Sequence, residues 1–239
     1  MTEWNWRKNS IGLLWFIPLV AMFVSPLLAF KFALATSGFF WLRKWLGFGK
    51  RVGDDLVSEI QYDLNLDFAY FSYKPNNSKV VFGGYMIPFL PFFSKVRSKK
   101  SFEEAAIHEH FHLYWMIYGF QTAFVYLLMY LIGNEGWTIY IGVFCWLMIQ
   151  EYLAFTSTEQ YAKAIGITTP IRSFDKNTIV KYIMFYGSML TSFGLLKIYL
   201  KPIVSVWIYL LALIAVLIIL SKLWYIIWKK IGLIKGEVV

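Results

Sequence analysis

The sequence predicts an α-helical integral membrane protein of about five transmembrane helices, with a small α+β domain at the membrane surface. Three observations lead to this prediction: 59% of the 239 residues are hydrophobic, only 15% are charged, and uncharged apolar runs recur along the chain. A soluble domain carries about 25% charged residues, whereas about 20 consecutive apolar residues are enough for a helix to cross a bilayer. The predicted spans are residues 11–30, 113–132, 137–149 with its continuation, 179–196 and 202–228.

The first apolar run is interpreted as an uncleaved anchor. It is too long for the apolar core of a signal peptide, and no small-x-small cleavage site with a polar mature chain follows it. Residues 31–51, in which basic residues alternate with Phe, Trp and Leu, predict an interfacial helix. The predicted domains are therefore 1–51 (anchor and interfacial helix), 52–177 (the α+β domain with a transmembrane hairpin, 113–157) and 178–239 (two spans and a basic tail).

The formal charge of +9 is interpreted first as a topology signal. Most basic residues lie in 31–107, 156–177 and 229–239, segments that five spans would place on one face. The positive-inside rule then predicts a multi-pass protein of a bacterial-type inner or plasma membrane, with these segments in the cytoplasm. Because the basic residues flank the apolar runs, we expect the lipid bilayer as a partner and exclude nucleic acid. The single cysteine, Cys145, excludes an intramolecular disulfide framework and a thiolate-rich metal site.

The extended polar region predicts the α+β domain. Residues 54–66 have the apolar spacing of an amphipathic helix. Residues 68–73 and 79–87 are β-branched and aromatic runs separated by KPNNS, which predicts a β-hairpin. The Pro-punctuated stretch 88–100 is expected to lie on the membrane surface, and Ser101 is the predicted N-cap of the helix that follows.

All three histidines of the chain lie on that predicted helix, in the stretch AAIHEHFHLYW at 105–115. His108 and His112 are four residues apart, so they project from one face and can bind one Zn²⁺. Glu109 lies next to the first of them, where it can act as a general base on water activated by the metal. His110 projects about 200° from His108 and is expected to make a separate polar contact.

A catalytic zinc needs a third protein ligand, and the chain has no further histidine and only one cysteine. The third ligand must therefore be Asp or Glu. A straight antiparallel hairpin that turns at 134–136 places the motif level with about 157–163. Glu159 is thus the first choice, and Glu151 remains the alternative, because an ionisable residue within an apolar run is a candidate functional residue.

This order of features resembles a known family. A strand (79–87) precedes the HExxH helix, a two-span hairpin follows, and the stretch EQYAKAIGI then carries a glutamate. In these respects the chain is similar to integral-membrane zinc metallopeptidases of the gluzincin type, related to the CAAX prenyl-protein endoprotease and the bacterial heat-shock membrane protease. The family pattern E-x-x-A-D-x-x-G is matched at Glu159, but Lys163 stands in the Asp position. The E-x-x-A of Glu151 has Phe155 in that position.

The resemblance implies a metallopeptidase-like domain that binds one Zn²⁺ per chain and hydrolyses peptide bonds of membrane or unfolded proteins at the cytoplasmic membrane surface. It also implies an edge strand that receives the substrate backbone, here Val81, Phe82, Gly83 and Gly84, and an electrophile such as Arg172 or Tyr161. Two other functions stay open: an inactive metallopeptidase-like membrane scaffold, and a transporter-type protein with a His/Glu relay. The oligomeric state is not predicted.

Overall fold

A computed structural model describes residues 6–51, 53–73, 84–86, 89–96, 102–132, 137–167, 171–199 and 226. These residues fall into two compact units. The first comprises the described residues within 1–135 and 150–173, and the second those within 136–149 and 174–238. The predicted N-cap Ser101 and the predicted substrate residues Val81, Phe82 and Gly83 lie outside the described residues.

The N-terminal part of the first unit is a set of short helices followed by a long one. These are α1 (Trp6–Asn9), a 3₁₀ helix (Ser10–Trp15), α2 (Phe16–Met22) and α3 (Pro26–Trp45). Aromatic rings from distant parts of the chain form its core: Trp15 stacks on Phe40 at 6.0 Å between centroids, and Phe40 stacks on Phe68 at 4.1 Å. This stack fixes α3 against the loop that leads into the sheet.

The sheet has three described strands: β1 (Tyr70–Tyr73), β2 (Gly84–Met86) and β3 (Phe93–Val96), in the order β1-β3-β2. Strand β1 pairs with β3 in parallel, and β2 pairs with β3 antiparallel. The predicted hairpin of 68–73 with 79–87 is therefore wrong, because β3 lies between the two strands. Residues 93–96 belong to the stretch expected on the membrane surface, but they form the central strand, in which Ser94 and Val96 are buried.

The remaining helices are α4 (Leu56–Asp63), α5 (Phe102–Tyr118), α6 (Gln121–Ile132), α7 (Trp137–Ala164) and α8 (Lys176–Tyr199). Helix α5 is central to the first unit, since most of its side chains are buried and it packs against α3, α4, α6 and two strands. Residues 150–164 of α7 also belong to this unit. They contact α5 through Phe111 with Tyr161 and through a hydrogen bond from Trp115 to Ser157.

The second unit contains residues 137–149 of α7 and the whole of α8. Asp175 caps α8, because its carboxylate accepts a hydrogen bond from the backbone N–H of Thr178 at 2.7 Å. Within this unit, the ring of Phe144 of α7 packs near Gly187 of α8. The remaining predicted span, 202–228, lies outside the described residues apart from residue 226.

The predicted transmembrane architecture is corrected by the helices themselves. Among the residues that the structure describes, none of the helices combines the length and the apolar character that crossing a membrane requires. The prediction of five transmembrane helices, and with it that of a multi-pass integral membrane protein, is therefore wrong. What the structure has is a mostly helical chain with a small three-stranded sheet.

Local backbone breaks explain two of the failed spans. The run 11–30 is interrupted because Ser25 is extended (φ −162°, ψ 130°) and Pro26 begins a new helix. The run 113–132 is divided at Gly119 and Phe120, where Phe120 has a left-handed φ of 57°. A Cβ on Gly119 would lie 2.5 Å from the carbonyl oxygen of Trp115, so this break requires glycine.

Polar residues explain why the other two described runs, 137–149 and 179–196, do not form transmembrane helices. Residues 137–149 continue without interruption in α7, but this helix then contains Gln150, Glu151 and a series of hydroxyl and charged side chains. Helix α8 includes residues 179–196, yet it carries three lysines and several hydroxyl groups within its 24 residues. In α7 and α8, therefore, the apolar run is only part of a longer helix whose other residues are polar or charged.

Candidate metal centre

Helix α5 brings two histidines together on one face. His108 and His112 are one turn apart, and their Nε2 atoms are separated by 3.0 Å. Glu151 approaches the same point from α7, with its Oε2 at 3.5 Å from His108 Nε2 and 3.7 Å from His112 Nε2. The three side chains form a buried group that could hold a metal ion.

The distances within this group fit a zinc ion. Ligand atoms around a tetrahedral zinc with bonds of about 2.0–2.1 Å are about 3.3–3.4 Å apart. The observed separations of 3.0, 3.5 and 3.7 Å lie close to that value on all three sides of the triangle. Two imidazole nitrogens and one carboxylate oxygen are also a donor set that zinc binds in catalytic sites, with a fourth position left open. The residues present therefore fit one Zn²⁺.

Neighbouring side chains orient the two histidine rings. The Nδ1 atom of His112 lies 3.3 Å from Oε1 of Gln150, so its N–H can donate to that amide and leave Nε2 free to bind a metal. Gln150 in turn donates to the sulfur of Met116. The ring of His108 instead packs on Phe155, at 4.5 Å between centroids. Gln150 was not predicted, although a polar side chain next to Glu151 in an apolar run is itself an indication of a functional residue.

The charges of the group stabilise one another. Burial acts against the charged form of Glu151, but the two histidines outweigh it and hold the pKa of this carboxyl well below its usual range. Burial also lowers the pKa of His112, but the Glu151 carboxylate outweighs this effect and raises that pKa to about 9. Burial and the neighbouring His112 charge together lower the pKa of His108. Without a metal, these shifts favour a protonated His112 beside an ionised Glu151.

Glu109 is buried beside the two histidines. Among the described residues, its Oε2 atom has no hydrogen-bond partner. Burial raises the pKa of Glu109 to about 7, although the positive charge on His112 opposes the shift. A carboxyl with a pKa near neutrality can both accept and donate a proton at that pH.

The structure corrects the first choice of third ligand. Glu159 is a partly exposed side chain of α7 that forms an ion pair with Lys163, at 2.7 Å, and it is not part of the metal-binding group. Glu151, the alternative candidate, lies beside the two histidines, where Glu159 was expected. The reflection assumed that 113–132 is one straight helix, whereas α5 ends at Tyr118 and α6 begins at Gln121. Glu151 lies eight residues, about 12 Å along the axis of α7, before Glu159.

His110 lies on the opposite face of α5. It is fully buried, with Nδ1 2.6 Å from the carbonyl oxygen of Ala106 and Nε2 3.2 Å from the amide nitrogen of Gln61. Its ring stacks on Phe71 of β1. Gln61 also donates to the carbonyl of Ala69, so His110 links α5 with α4 and the start of β1. The metal-binding group does not include it.

The two electrophile candidates occupy different places. Arg172 donates from Nε to the buried carboxylate of Glu104 at 2.8 Å, and Glu104 is one turn before His108 on the same face of α5. The positive charge of Arg172 is near enough to contribute to the lowered pKa of His108. Tyr161 instead donates its hydroxyl proton to Asp63 at 2.7 Å. The structure thus places Arg172 towards the metal-binding group and engages Tyr161 elsewhere.

Strand β2 begins at Gly84, one of the predicted substrate residues. Among the described strands, β2 pairs only with β3 and is an edge of the sheet. It also packs against α5, the helix that carries both histidines. The role of this strand in substrate binding remains a prediction.

The sequence matches no protein-family model, and no curated protein or solved structure is significantly similar to the chain. The class of site therefore follows from the residues alone. It is a buried His–His–Glu group that could hold a metal ion, with a buried carboxyl group next to it.

Proposed function

We propose that this chain is a zinc-dependent endopeptidase in which His108, His112 and Glu151 hold one metal ion. The observation that carries the proposal is the Glu109 carboxyl, which is buried next to these ligands and has an oxygen without a hydrogen-bond partner among the described residues. A buried polar atom without a partner costs about 1–3 kcal/mol. Such an atom beside a metal-binding group favours a catalytic role over a structural one.

Glu109 is the general base in this proposal. When bound, the metal would supply Lewis acidity, which activates water and polarises the carbonyl group of the substrate. Glu109 would accept a proton from the attacking water and pass it to the amine that leaves. Its burial beside the ligands places the carboxyl where it could make both transfers.

Arg172 is the proposed electrophile. Its Nε is held by Glu104, and among the described residues its two terminal nitrogens have no hydrogen-bond partner. The side chain is about half exposed, so these nitrogens are accessible to a substrate. A guanidinium in this position would stabilise the negative charge that develops on the carbonyl oxygen during attack.

The proposal retains the resemblance to gluzincin-type zinc metallopeptidases. Three features support it: the HExxH motif on a buried helix, an edge strand packed against that helix, and a glutamate ligand on a later helix. The ligand in question is Glu151, so the relevant E-x-x-A pattern is residues 151–154, with Phe155 in the Asp position. Peptide bonds are the substrate class, because the edge strand can pair with an extended backbone.

The decisive experiment is the Glu109→Gln variant assayed on an unfolded protein such as denatured casein. We expect the variant to bind one zinc ion per chain as the wild type does, and to lose about 10²–10⁴-fold in the rate of peptide hydrolysis. Glu103→Gln is the matched control, since Glu103 is an exposed glutamate on the same helix. Equal hydrolysis by the wild type and Glu109→Gln would refute the proposed mechanism.

One observation favours a second function, that of a metal-binding scaffold without catalytic activity. In the family pattern an Asp supports a zinc-binding histidine, whereas here the ring of Phe155 packs on His108. Among the described residues, Nδ1 of His108 has no hydrogen-bond partner. A wild-type protein that binds zinc fully but does not cleave the unfolded substrate would favour the scaffold.

A further inference from the structure

Helix α3 buries mostly small and polar residues and exposes large apolar ones, which is the reverse of a helix on a water-exposed surface. The buried face consists mostly of small or polar residues: Ala29, Ala33, Thr36 and Ser37, with Phe40 as the one large side chain. A helix on the surface of a globular protein normally buries its large apolar side chains and exposes its polar ones. The buried side of α3 therefore does not account for the hydrophobicity of this helix.

The large apolar side chains of α3 lie on the exposed side. Leu34, Trp41, Leu42 and Trp45 share one helix face, within about 100° of one another, and we call them the α3 face. All four are exposed, and Trp45 is 79% exposed. The apolar surface continues into the turn after the helix, where Leu46 and Phe48 are also exposed. A contiguous exposed apolar surface of this kind indicates an interaction site.

Basic residues frame the α3 face. Lys31 lies on the same helix face one turn before Leu34, and Lys50 follows Phe48; both are exposed. Between residues 4 and 53 the sequence contains seven Lys and Arg and not one Asp or Glu. Of these basic residues, Arg43 is neutralised by an ion pair with Asp67 at 2.7 Å, whereas Lys31 and Lys50 are exposed and supply the positive charge beside the α3 face.

We propose that the α3 face docks on the surface of a bilayer that contains anionic lipid. Tryptophan at the level of the headgroups, leucine below it and lysine reaching the phosphates is the arrangement of a helix that lies in a membrane interface. The charge selects this occupant over a second copy of the chain, because two copies that met through the α3 face would bring the exposed Lys31 and Lys50 of both chains together. The helix lies along the surface and does not span the bilayer.

Vesicle flotation with the full chain tests the proposal. Two vesicle compositions are compared, phosphatidylcholine alone and phosphatidylcholine with one quarter phosphatidylglycerol. We expect stronger binding to the anionic vesicles, weaker binding in 0.5 M NaCl, and a loss of about fivefold for each of Lys31→Gln and Lys50→Gln on the anionic vesicles. The same binding to both compositions, or no binding at all, would overturn the proposal.

A matched pair of variants locates the contact. Trp45→Glu introduces a charge into the α3 face and is expected to reduce binding to anionic vesicles by about tenfold or more. Tyr62→Glu makes the same change at an exposed aromatic residue of α4 and should bind as the wild type does. Both variants should retain zinc binding, so the result is independent of the proposed peptidase activity.

Two results of that comparison contradict the proposal. Equal binding of Trp45→Glu and Tyr62→Glu would show that another part of the chain contacts the lipid. A wild type that is dimeric without vesicles and a Trp45→Glu variant that is monomeric would show that a second copy covers the α3 face. Light scattering of both proteins in the absence of lipid distinguishes the second result from the first.

Discussion

Glu151 lies beside His112, with Oε2 of the carboxylate 3.7 Å from Nε2 of the imidazole, and so connects α7 to α5 at the metal-binding group. The pair is buried, and its charges favour each other: the histidine pKa is raised to about 9 and that of the carboxyl is lowered. A metal ion bound to this group would replace the proton on His112 and keep the attraction to Glu151. This relationship leads to the first two predictions.

Glu151→Gln should weaken zinc binding far more than Glu159→Gln. The amide is similar in shape to the carboxylate but carries no charge and is a poor zinc ligand. We expect a loss of affinity beyond the roughly 10–100-fold that follows from removing a group that only orients a ligand. Glu159→Gln should bind zinc normally, because Glu159 pairs with Lys163 instead. Equilibrium dialysis with metal analysis measures both, and the reverse order would restore Glu159 as the ligand.

Zinc affinity should increase with pH up to about 9. Below this value His112 is mostly protonated in the metal-free protein, and binding must release that proton. The apparent affinity should therefore rise by up to about tenfold for each pH unit between 7 and 9 and then level off. Titration calorimetry in two buffers of different ionisation enthalpy should show release of about one proton at pH 7.5. Affinity that does not change over this range would contradict the assigned proton.

The motif helix was predictable because its geometry is local. An i, i+4 pair of histidines meets on one face whatever the rest of the chain does, and the structure brings His108 and His112 together. The third ligand depends on how two helices pack. The sequence limited the choice to Glu159 and Glu151, but the part of α7 that lies beside the histidines is set by contacts such as that of His108 with Phe155.

The transmembrane helices and the β-hairpin were wrongly predicted for related reasons. A count of apolar residues does not register single residues such as Pro26 or Phe120, at which an apolar run is divided between two helices. Pairing neighbouring strands is a good default, yet β3 is inserted between β1 and β2. Its burial pattern over Phe93–Val96 depends on packing against α5, which no local pattern reveals.

Gln150 should contribute to zinc affinity without being a ligand. Its Oε1 is 3.3 Å from Nδ1 of His112 and can accept a hydrogen bond from it, which would leave Nε2 available to a metal ion. Gln150→Leu keeps the approximate volume and removes the acceptor, so we expect a loss of about 10–100-fold in zinc affinity with one ion still bound at saturation. Gln160→Leu, at an exposed position of the same helix, is the control. A Gln150→Leu variant with wild-type affinity would exclude this role.

Replacing His110 should lower the free energy of unfolding more than replacing a histidine of the metal-binding group. His110→Ala removes a fully buried ring, its contact with Phe71 and the partner of Gln61. We expect a loss of about 2–4 kcal/mol in the free energy of unfolding, from the cavity and from the buried amide left without its partner. Zinc stoichiometry should stay at one per chain wherever the variant is folded, because His110 faces away from the metal.

His108→Ala is the matched comparison for this prediction. His108 contacts the other two members of the metal-binding group and the ring of Phe155, and its pKa is lowered by burial and by the positive charge of His112. Its removal should therefore abolish zinc binding but destabilise the metal-free protein less than His110→Ala does. Urea unfolding of both variants in the presence of a chelator measures the difference. If His108→Ala were the more destabilising, His108 would be a structural residue and the division of roles on α5 would be wrong.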